Sequence, residues 1–288
     1  MKLSFSTNAF TKYPVTEAVE KIASIGYEGV EILADVPHLY MSGVSNSEIN
    51  ALKETINRSG IRVSNINANT VRGYNGNTRV WDPLFEPSLA SVDAAARKWR
   101  INYSRKCISL AEKLGCPNVS LNSGYIMPET TPEQAMELLK GSLKELLRYA
   151  EDRDIRIGLE YEPGLLIEYC AELAGLIKEL ASPYLGANLD LGHSFVVGED
   201  PETVLKALDG KIFHVHLEDI KDKKHFHLIP GLGDMDFGSL LELHKKYSYK
   251  GFVTVELYTY SDEPERAAGQ AFEYLNAFDV WAVEKTRR

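Results

Sequence analysis

Acids and histidines recur in the second half of this chain at the ends of short apolar runs: Ile157-Gly-Leu-Glu160-Tyr-Glu162, Ala187-Asn-Leu-Asp190-Leu-Gly-His193, Phe213-His-Val-His216-Leu-Glu-Asp219 and Phe252-Val-Thr-Val-Glu256-Leu-Tyr258. Three carboxylates and one imidazole on a common face make a hard, oxygen-rich donor set that suits one divalent ion, Mn²⁺ or Mg²⁺ first, with Co²⁺ or Zn²⁺ also compatible. Side chains alternate along a strand, so Glu160 and Glu162 are expected on one face, as are His214 and His216. Acids turned inward at a barrel rim are unfavourable burials unless a cation accompanies them. A single such acid is more often a loop cap or a rim ion pair. Four independent strand ends with ligand-type residues, in consecutive units five to eight, favour a metal site.

Such delivery requires strands that all end on one side, as in a parallel barrel. Strand-like runs alternate here with segments of helical period, the mark of βαβ units. Eight strands are expected near residues 3–9, 28–34, 62–68, 118–123, 156–162, 185–190, 212–217 and 252–257 of the 288. The predicted fold is α/β, a (β/α)8 TIM barrel, as one domain over 1–288, since no linker or low-complexity tract interrupts it. Helix signals include a stop at Gly26 after Val15, a start at Thr131-Pro132, and runs from Phe237 and Pro264. The long irregular stretch 69–92 carries Arg72, Tyr74, Trp81 and Phe85 and is read as a lid on the strand C-terminal side. Trp81 and Phe85 either shield a substrate or anchor that loop.

A formal charge of −9 and a pI near 5.4 repel phosphate backbones and anionic lipid, so nucleic acid and membrane surfaces are excluded as partners. A small neutral or metal-chelated ligand fits better. Cys107, Cys116 and Cys170 are odd in number and lack ligand spacing, which points to reduced core thiols and a cytoplasmic setting. No signal peptide and no run of eighteen apolar residues is visible. No Gly-x-Gly-x-x-Gly follows the first strand, so hydride chemistry has no support.

Asn188-Leu-Asp190-Leu-Gly-His193, His214-Val-His216-Leu-Glu-Asp219, His227-Leu-Ile-Pro-Gly231-Leu-Gly233-Asp-Met-Asp236-Phe237 and Val255-Glu256 occur in that order. On these residues the chain resembles the xylose isomerase-like barrel superfamily, which includes tagatose/psicose 3-epimerases, inosose-handling enzymes and, more distantly, endonuclease IV. The resemblance spans nearly the whole chain and implies Glu160, Asp190, His216 and Glu256 as metal ligands. Glu-x-Glu lets either Glu160 or Glu162 take that role; Glu160 is preferred because Pro163-Gly164 falls where the family's strand gives way to its loop. The resemblance assigns His193 to a substrate oxygen, and Glu162, Asn122 and His227 join it as substrate-binding candidates. The third and fourth strands end near Asn67, Asn69 and Asn122 instead of histidines, which disfavours the multi-zinc phosphodiesterase branch, where positions comparable to His225 and His227 bind extra metal. These two histidines either order the glycine turn at Gly231 and Gly233 or contact substrate.

The implied activity is that of a metal-dependent isomerase or epimerase acting on a ketose, inosose or related polyol through an enediolate. Glu160 and Glu256 form the acid/base pair, since the resemblance places them on opposite sides of the substrate. A dehydroshikimate- or inosose-type dehydratase and a non-catalytic sugar-binding protein of the same fold are the alternatives. Asp219 is expected to orient His216 or another polar group, and Lys221, Lys223 and Lys224 either meet a substrate phosphate or are solvated. His38 is read as a loop-packing residue near the mouth, and His244 as a helix-surface residue with no role. The apolar tail of Phe278, Val280, Trp281 and Val283 either packs on the barrel base or forms a homo-oligomer face.

Overall fold

The structure, a computed structural model, describes residues 1–75 and 84–281. Trp81 of the expected lid and Val283 of the tail lie outside the described residues. Short apolar runs form the parallel strands β1 (Lys2–Ser6), β2 (Gly29–Leu33), β3 (Arg62–Asn67), β4 (Asn118–Asn122), β5 (Arg156–Glu160), β6 (Leu185–Asp190) and β7 (Ile212–Leu217). A hairpin, β8 (Asp219–Lys221) and β9 (Lys224–Leu228), precedes the last barrel strand β10 (Phe252–Val255). The barrel closes in the order β1-β10-β7-β6-β5-β4-β3-β2, so the α/β (β/α)8 TIM barrel expected from the sequence is the fold.

Alternation along these strands separates two environments. One set of side chains, with Val30, Ile32, Val119, Leu121, Ile157, Leu159, Leu189, Val215 and Val253 fully buried, belongs to the hydrophobic core. The barrel interior is polar instead, and many of its groups bond to one another. Ser4 Oγ donates to Ser64 Oγ at 2.7 Å, Asn118 Nδ2 to Asn65 Oδ1 at 2.7 Å and Asn65 Nδ2 to Ser120 Oγ at 2.9 Å.

The helical ring comprises α1 (Val15–Ile25), α2 (Asn46–Ser59), α3 (Ala94–Leu114), α4 (Pro132–Glu151), α5 (Cys170–Leu180), α6 (Leu191–Val197), α7 (Pro201–Ala207), α8 (Phe237–Lys246) and α9 (Pro264–Asn276). The expected signals operate at their ends. Gly26 closes α1 at φ 117°, a conformation L side chains resist. Thr131 and Gln134 form a reciprocal capping box, with Pro132 in the first turn of α4. No helix among the described residues is long and apolar enough to cross a membrane.

Several boundaries differ from the sequence reading. The first strand stops at Ser6, where the Ser6 hydroxyl accepts the Asn8 N–H and turns Thr7–Ala9 into a 3-10 helix. The fifth strand ends at Glu160 and the last at Val255, so Glu162 and Glu256 sit in loops where strict alternation no longer applies. His244 is not a surface residue: it is 1% exposed, with its Nδ1 bonded to the Leu240 carbonyl at 2.7 Å. His38 does pack a loop, its ring nitrogens 3.2 Å from Thr7 Oγ1 and 3.2 Å from the Phe10 carbonyl. The tail packs on the chain's own core: Val280 is buried, its carbonyl receives the N-terminal ammonium at 3.3 Å, and Trp281 Nε1 donates to the Leu275 carbonyl. All three cysteines are free and buried.

Asp219 does not orient His216. Its Oδ1 accepts the N–H groups of Ile220 and Met235, at 2.9 and 3.2 Å, and its Oδ2 those of Gly231 and Gly233, at 2.9 and 2.7 Å. A Cβ at Gly233 would meet Asp219 Oδ1 at 2.3 Å, so glycine there permits the approach. The glycine turn is therefore ordered by Asp219 and not by His225 or His227. Asp219→Ala is expected to lower stability by about 2–4 kcal/mol in urea titrations by leaving buried donors unpaired. Lys12→Ala, which breaks the exposed Lys12–Asp262 pair, should leave the urea midpoint essentially unchanged.

Candidate metal centre and active site

At the C-terminal ends of the strands, four side chains turn toward one point. His216 Nδ1 lies 3.0 Å from Glu160 Oε1, 3.8 Å from Glu256 Oε2 and 4.0 Å from Asp190 Oδ2. These residues come from β5, the residue after β10, β6 and β7, and all are at most 8% exposed. Each carboxylate commits its other oxygen to an N–H donor. Glu256 Oε1 accepts from Asn8 Nδ2 at 2.8 Å and Asn67 Nδ2 at 3.0 Å, Glu160 Oε2 accepts from Asn69 Nδ2, and Asp190 Oδ1 accepts the His193 N–H at 2.8 Å. Asp190 Oδ2 is buried without a hydrogen-bond partner. Three anchored carboxylates therefore present one free oxygen each to one imidazole nitrogen.

The far side of that imidazole is also fixed. His216 Nε2 donates to Glu31 Oε2 at 2.6 Å, and Glu31 is held by Asn65 Nδ2 at 2.7 Å and Asn67 Nδ2 at 3.1 Å. A register shift between Val30 and Glu31 sets Glu31 opposite Asn65. His214 shares the inward face, its Nε2 3.4 Å from Glu31 Oε2 without the alignment of a hydrogen bond. Glu31 thus fixes which nitrogen of His216 faces the acids, as an outer partner does for a metal-binding histidine.

The charges respond to this crowding. Burial alone would neutralise His216, but Glu31, Glu256 and Glu160 overcome it and hold the ring charged well above its ordinary range. Burial pushes the Glu256 carboxyl up to about 8; His216 opposes this while Glu160, Glu31 and Asp190 add to it. Burial, with Glu160 and Asp190, likewise pushes Glu162 up to about 8 against the pull of His193. Burial would raise Asp190, yet His193 and His227 hold it below the usual carboxylate range. Glu218, fully buried beside Asp190 with neither oxygen bonded as an acceptor, is pushed well up by desolvation and by Asp190. This acid cluster around the His216 ring, with an orphaned Asp190 oxygen, fits a divalent cation, which Glu160, Asp190, His216 and Glu256 would hold with the cation taking the place of the proton on His216 Nδ1.

Above the cluster lies a cavity of ≈ 600 Å³. Of the sequence candidates, Glu160, Glu162, His193, His227 and Glu256 line it; His193 is also paired across its ring with Asp190. His193 Nδ1 bonds to the Tyr161 carbonyl at 3.0 Å, and although burial disfavours its charge, Asp190, Glu162 and Glu160 raise it to about 9. His227 Nδ1 donates to the Glu256 carbonyl at 2.8 Å, which leaves its Nε2 without a partner. Burial holds this ring neutral, down to about 3, despite Asp190. Asn122 is buried beside Glu160 in the β4–β5 register and lies outside the cavity lining. Phe85 lines the cavity and packs on Tyr125, their ring centroids 5.6 Å apart. Lys221 and Lys224 pair across the β8–β9 hairpin, and none of the three loop lysines lines the cavity. A larger cleft, ≈ 740 Å³, lies between the α5 and α7 sides, away from these groups.

Asn8, Glu31, Asn67 and Asn69 were not read as site residues from sequence. Glu31 did carry a signal, as a lone acid inside the apolar run Gly29-Val-Glu-Ile-Leu33.

A closed (β/α)8 barrel with carboxylates and histidines at its strand ends defines a class of barrel enzymes. The chain belongs to the xylose isomerase-like TIM barrel family, whose model matches residues 19–278. It is 24% identical over 282 residues to fructoselysine 3-epimerase of Shigella flexneri, across 96% of this chain and 98% of that protein. It is 28% identical over 171 residues to inosose dehydratase of Clostridium beijerinckii, across 54% of this chain and 56% of that protein. Among solved structures, a D-tagatose 3-epimerase-like protein superposes with a TM-score of 0.78 at 25% identity, across 96% of this chain and 98% of that one. The IolI protein, solved with a zinc atom, gives a TM-score of 0.77 at 21% identity, across 96% of each chain.

Two expectations follow from the site. Glu31→Gln should weaken Mn²⁺ binding about 10–100-fold in calorimetric titration, with the fold retained by circular dichroism. The titrations also act together on stability. The His193 contribution is present below its ordinary 6.5 and is lost as pH rises to about 9. Glu162 and Glu256 oppose folding increasingly as pH rises from 4.5 through about 8. Protein kept in EDTA should therefore melt lower at about pH 9 than at about pH 5, and Mn²⁺ should raise the alkaline melting temperature most. A flat EDTA profile would contradict these charge assignments.

Proposed function

We propose that this protein is a metal-dependent sugar isomerase or epimerase acting on a ketose, inosose or related polyol. The observation that carries the reading is the convergence of one oxygen each from Glu160, Asp190 and Glu256 on His216 Nδ1, beneath a cavity sized for a small molecule. Those four residues would hold one divalent ion, Mn²⁺ or Mg²⁺ by the preponderance of oxygen donors. The zinc atom in the solved IolI protein keeps Zn²⁺ in view. When bound, the ion supplies a Lewis acid for the carbonyl and hydroxyl oxygens of a hydroxyketone and offsets the charge that builds there after proton loss.

Glu160 and Glu256 take the proton-transfer roles. Their strands, β5 and β10, are separated by β6 and β7 around the barrel, so the two carboxylates reach the centre from different walls. One removes the proton from the carbon beside the carbonyl, and the other returns a proton to the opposite face. Asn8 and Asn67 fix Glu256, and Asn69 fixes Glu160, so each base keeps its reactive oxygen aimed inward. His193, held through the Tyr161 carbonyl, offers a charged N–H to a substrate oxygen, with Glu162 and His227 beside it on the cavity wall. Asn122, next to Glu160 in the sheet but outside the cavity lining, stays a weaker substrate-binding candidate.

The protonated His193 also supports a second reading, dehydration, because it could pass a proton to a departing hydroxyl. Similarity to inosose dehydratase is consistent with that chemistry. Elemental analysis and exchange in deuterated water separate the outcomes. The expected result is one divalent ion per chain and metal-dependent exchange of the proton beside the carbonyl, reduced about 10²–10⁴-fold in Glu256→Gln. Exchange accompanied by water loss would establish the dehydratase, and failure to bind metal after reconstitution would remove the four-ligand assignment.

A further inference from the structure

The cavity over the acid cluster is chemically divided. Its floor carries the acids and the asparagine amides, while one wall is apolar, formed by Leu33, Val36, Pro37, Leu84 and Phe85. Arg72 lines the same cavity and is the only Lys or Arg among its described lining residues.

The Arg72 backbone is held by a dedicated contact, while its side chain is exposed. Asp35, fully buried, accepts the Arg72 N–H at 2.7 Å and the Thr70 hydroxyl at 2.6 Å on Oδ2, and the Gly73 and Val36 N–H groups at 2.9 and 2.8 Å on Oδ1. Both Asp35 oxygens are thus committed to backbone and Thr70, so this acid pins the Arg72 backbone without neutralising its guanidinium. No acid among the described residues pairs with that guanidinium. A guanidinium on the cavity lining with no acid partner among the described residues is a receptor for an anion that the acid cluster would repel.

We propose that the substrate is a ketose bearing an anionic group, carboxylate or phosphate, on the end remote from the acid cluster, and that Arg72 receives it and sets specificity. This rests on the enolising reading above. Three probes test it: D-fructose, its terminal phosphate ester, and an amino-deoxyfructose whose nitrogen carries a carboxyalkyl chain. Solvent-deuterium exchange with Mn²⁺-loaded protein gives kcat and KM, and calorimetry gives Kd for the same probes, in wild type, Arg72→Gln and Arg72→Lys.

The expected result is at least a tenfold advantage in kcat/KM, by order of magnitude, for one anionic probe over D-fructose. Arg72→Gln should reduce that ratio to within about threefold by raising KM with kcat retained, and Arg72→Lys should keep part of it. The favoured probe tells phosphate from carboxylate. Equal use of all probes by wild type, or a loss in Arg72→Gln shared equally by charged and uncharged probes, would overturn the assignment and leave Arg72 as part of the loop scaffold. An Arg72-dependent anion preference in Kd without exchange would uphold the anion site and reject the enolising reading. Neither exchange nor preference would reject both.

Discussion

The bond from His216 Nε2 to Glu31 is the constraint on which the site turns. A buried imidazole has two faces, and only when one nitrogen is committed does the other have a defined role. Glu31 makes that commitment at 2.6 Å and is itself held by Asn65 and Asn67. Asn67 Nδ2 then reaches on to Glu256, so one amide links the support of the histidine to the support of an acid. Removing any member would leave a charged or polar neighbour buried without its partner, which is why such networks behave as units.

The same network explains the polar barrel interior. Five acids, Glu31, Glu160, Asp190, Glu218 and Glu256, lie within it or at its rim, all nearly inaccessible to water. A hydrocarbon interior would make each an uncompensated burial. The amides of Asn8, Asn65, Asn67 and Asn69 provide donors to Glu31, Glu160 and Glu256 instead. The apolar core is displaced outward, between strands and helices, where it can stabilise the fold without entering the site. Stability and chemistry thereby occupy the two faces of the same strands.

Much of this was legible in the sequence because a parallel barrel delivers strand ends to one side, and Glu160, Asp190, His216 and Glu256 each close an apolar run. What was hidden depended on closure or on local turn geometry. Asn8 meets Glu256 across 248 residues only because β1 pairs with β10, a neighbour relation that no local pattern reveals. The β8–β9 hairpin was missed because its turn uses Asp222 and Lys223, both at positive φ, where the usual signal is a glycine. Glu162 was placed by alternation beyond the point where its strand ends, and His244 was judged by helix period although the face it occupies is covered by its neighbours.

The division of labour around the barrel carries one more step. The strands β5, β6, β7 and β10 deliver the converging acids and imidazole, whereas β2, β3 and the turns after β1 and β3 deliver the amides and the acid that hold them. Support and ligand therefore come from opposite arcs of one closed sheet. Their relative position is set by barrel closure and not by any single loop. In the loops after β2 and β3, Asn69 holds Glu160, and Asp35 ties Arg72 and Gly73 of the second loop to the first. An arc that fixes the acid cluster, joined to an arc whose loops face the cavity, is how one barrel can keep a constellation of side chains while the ligand it takes changes.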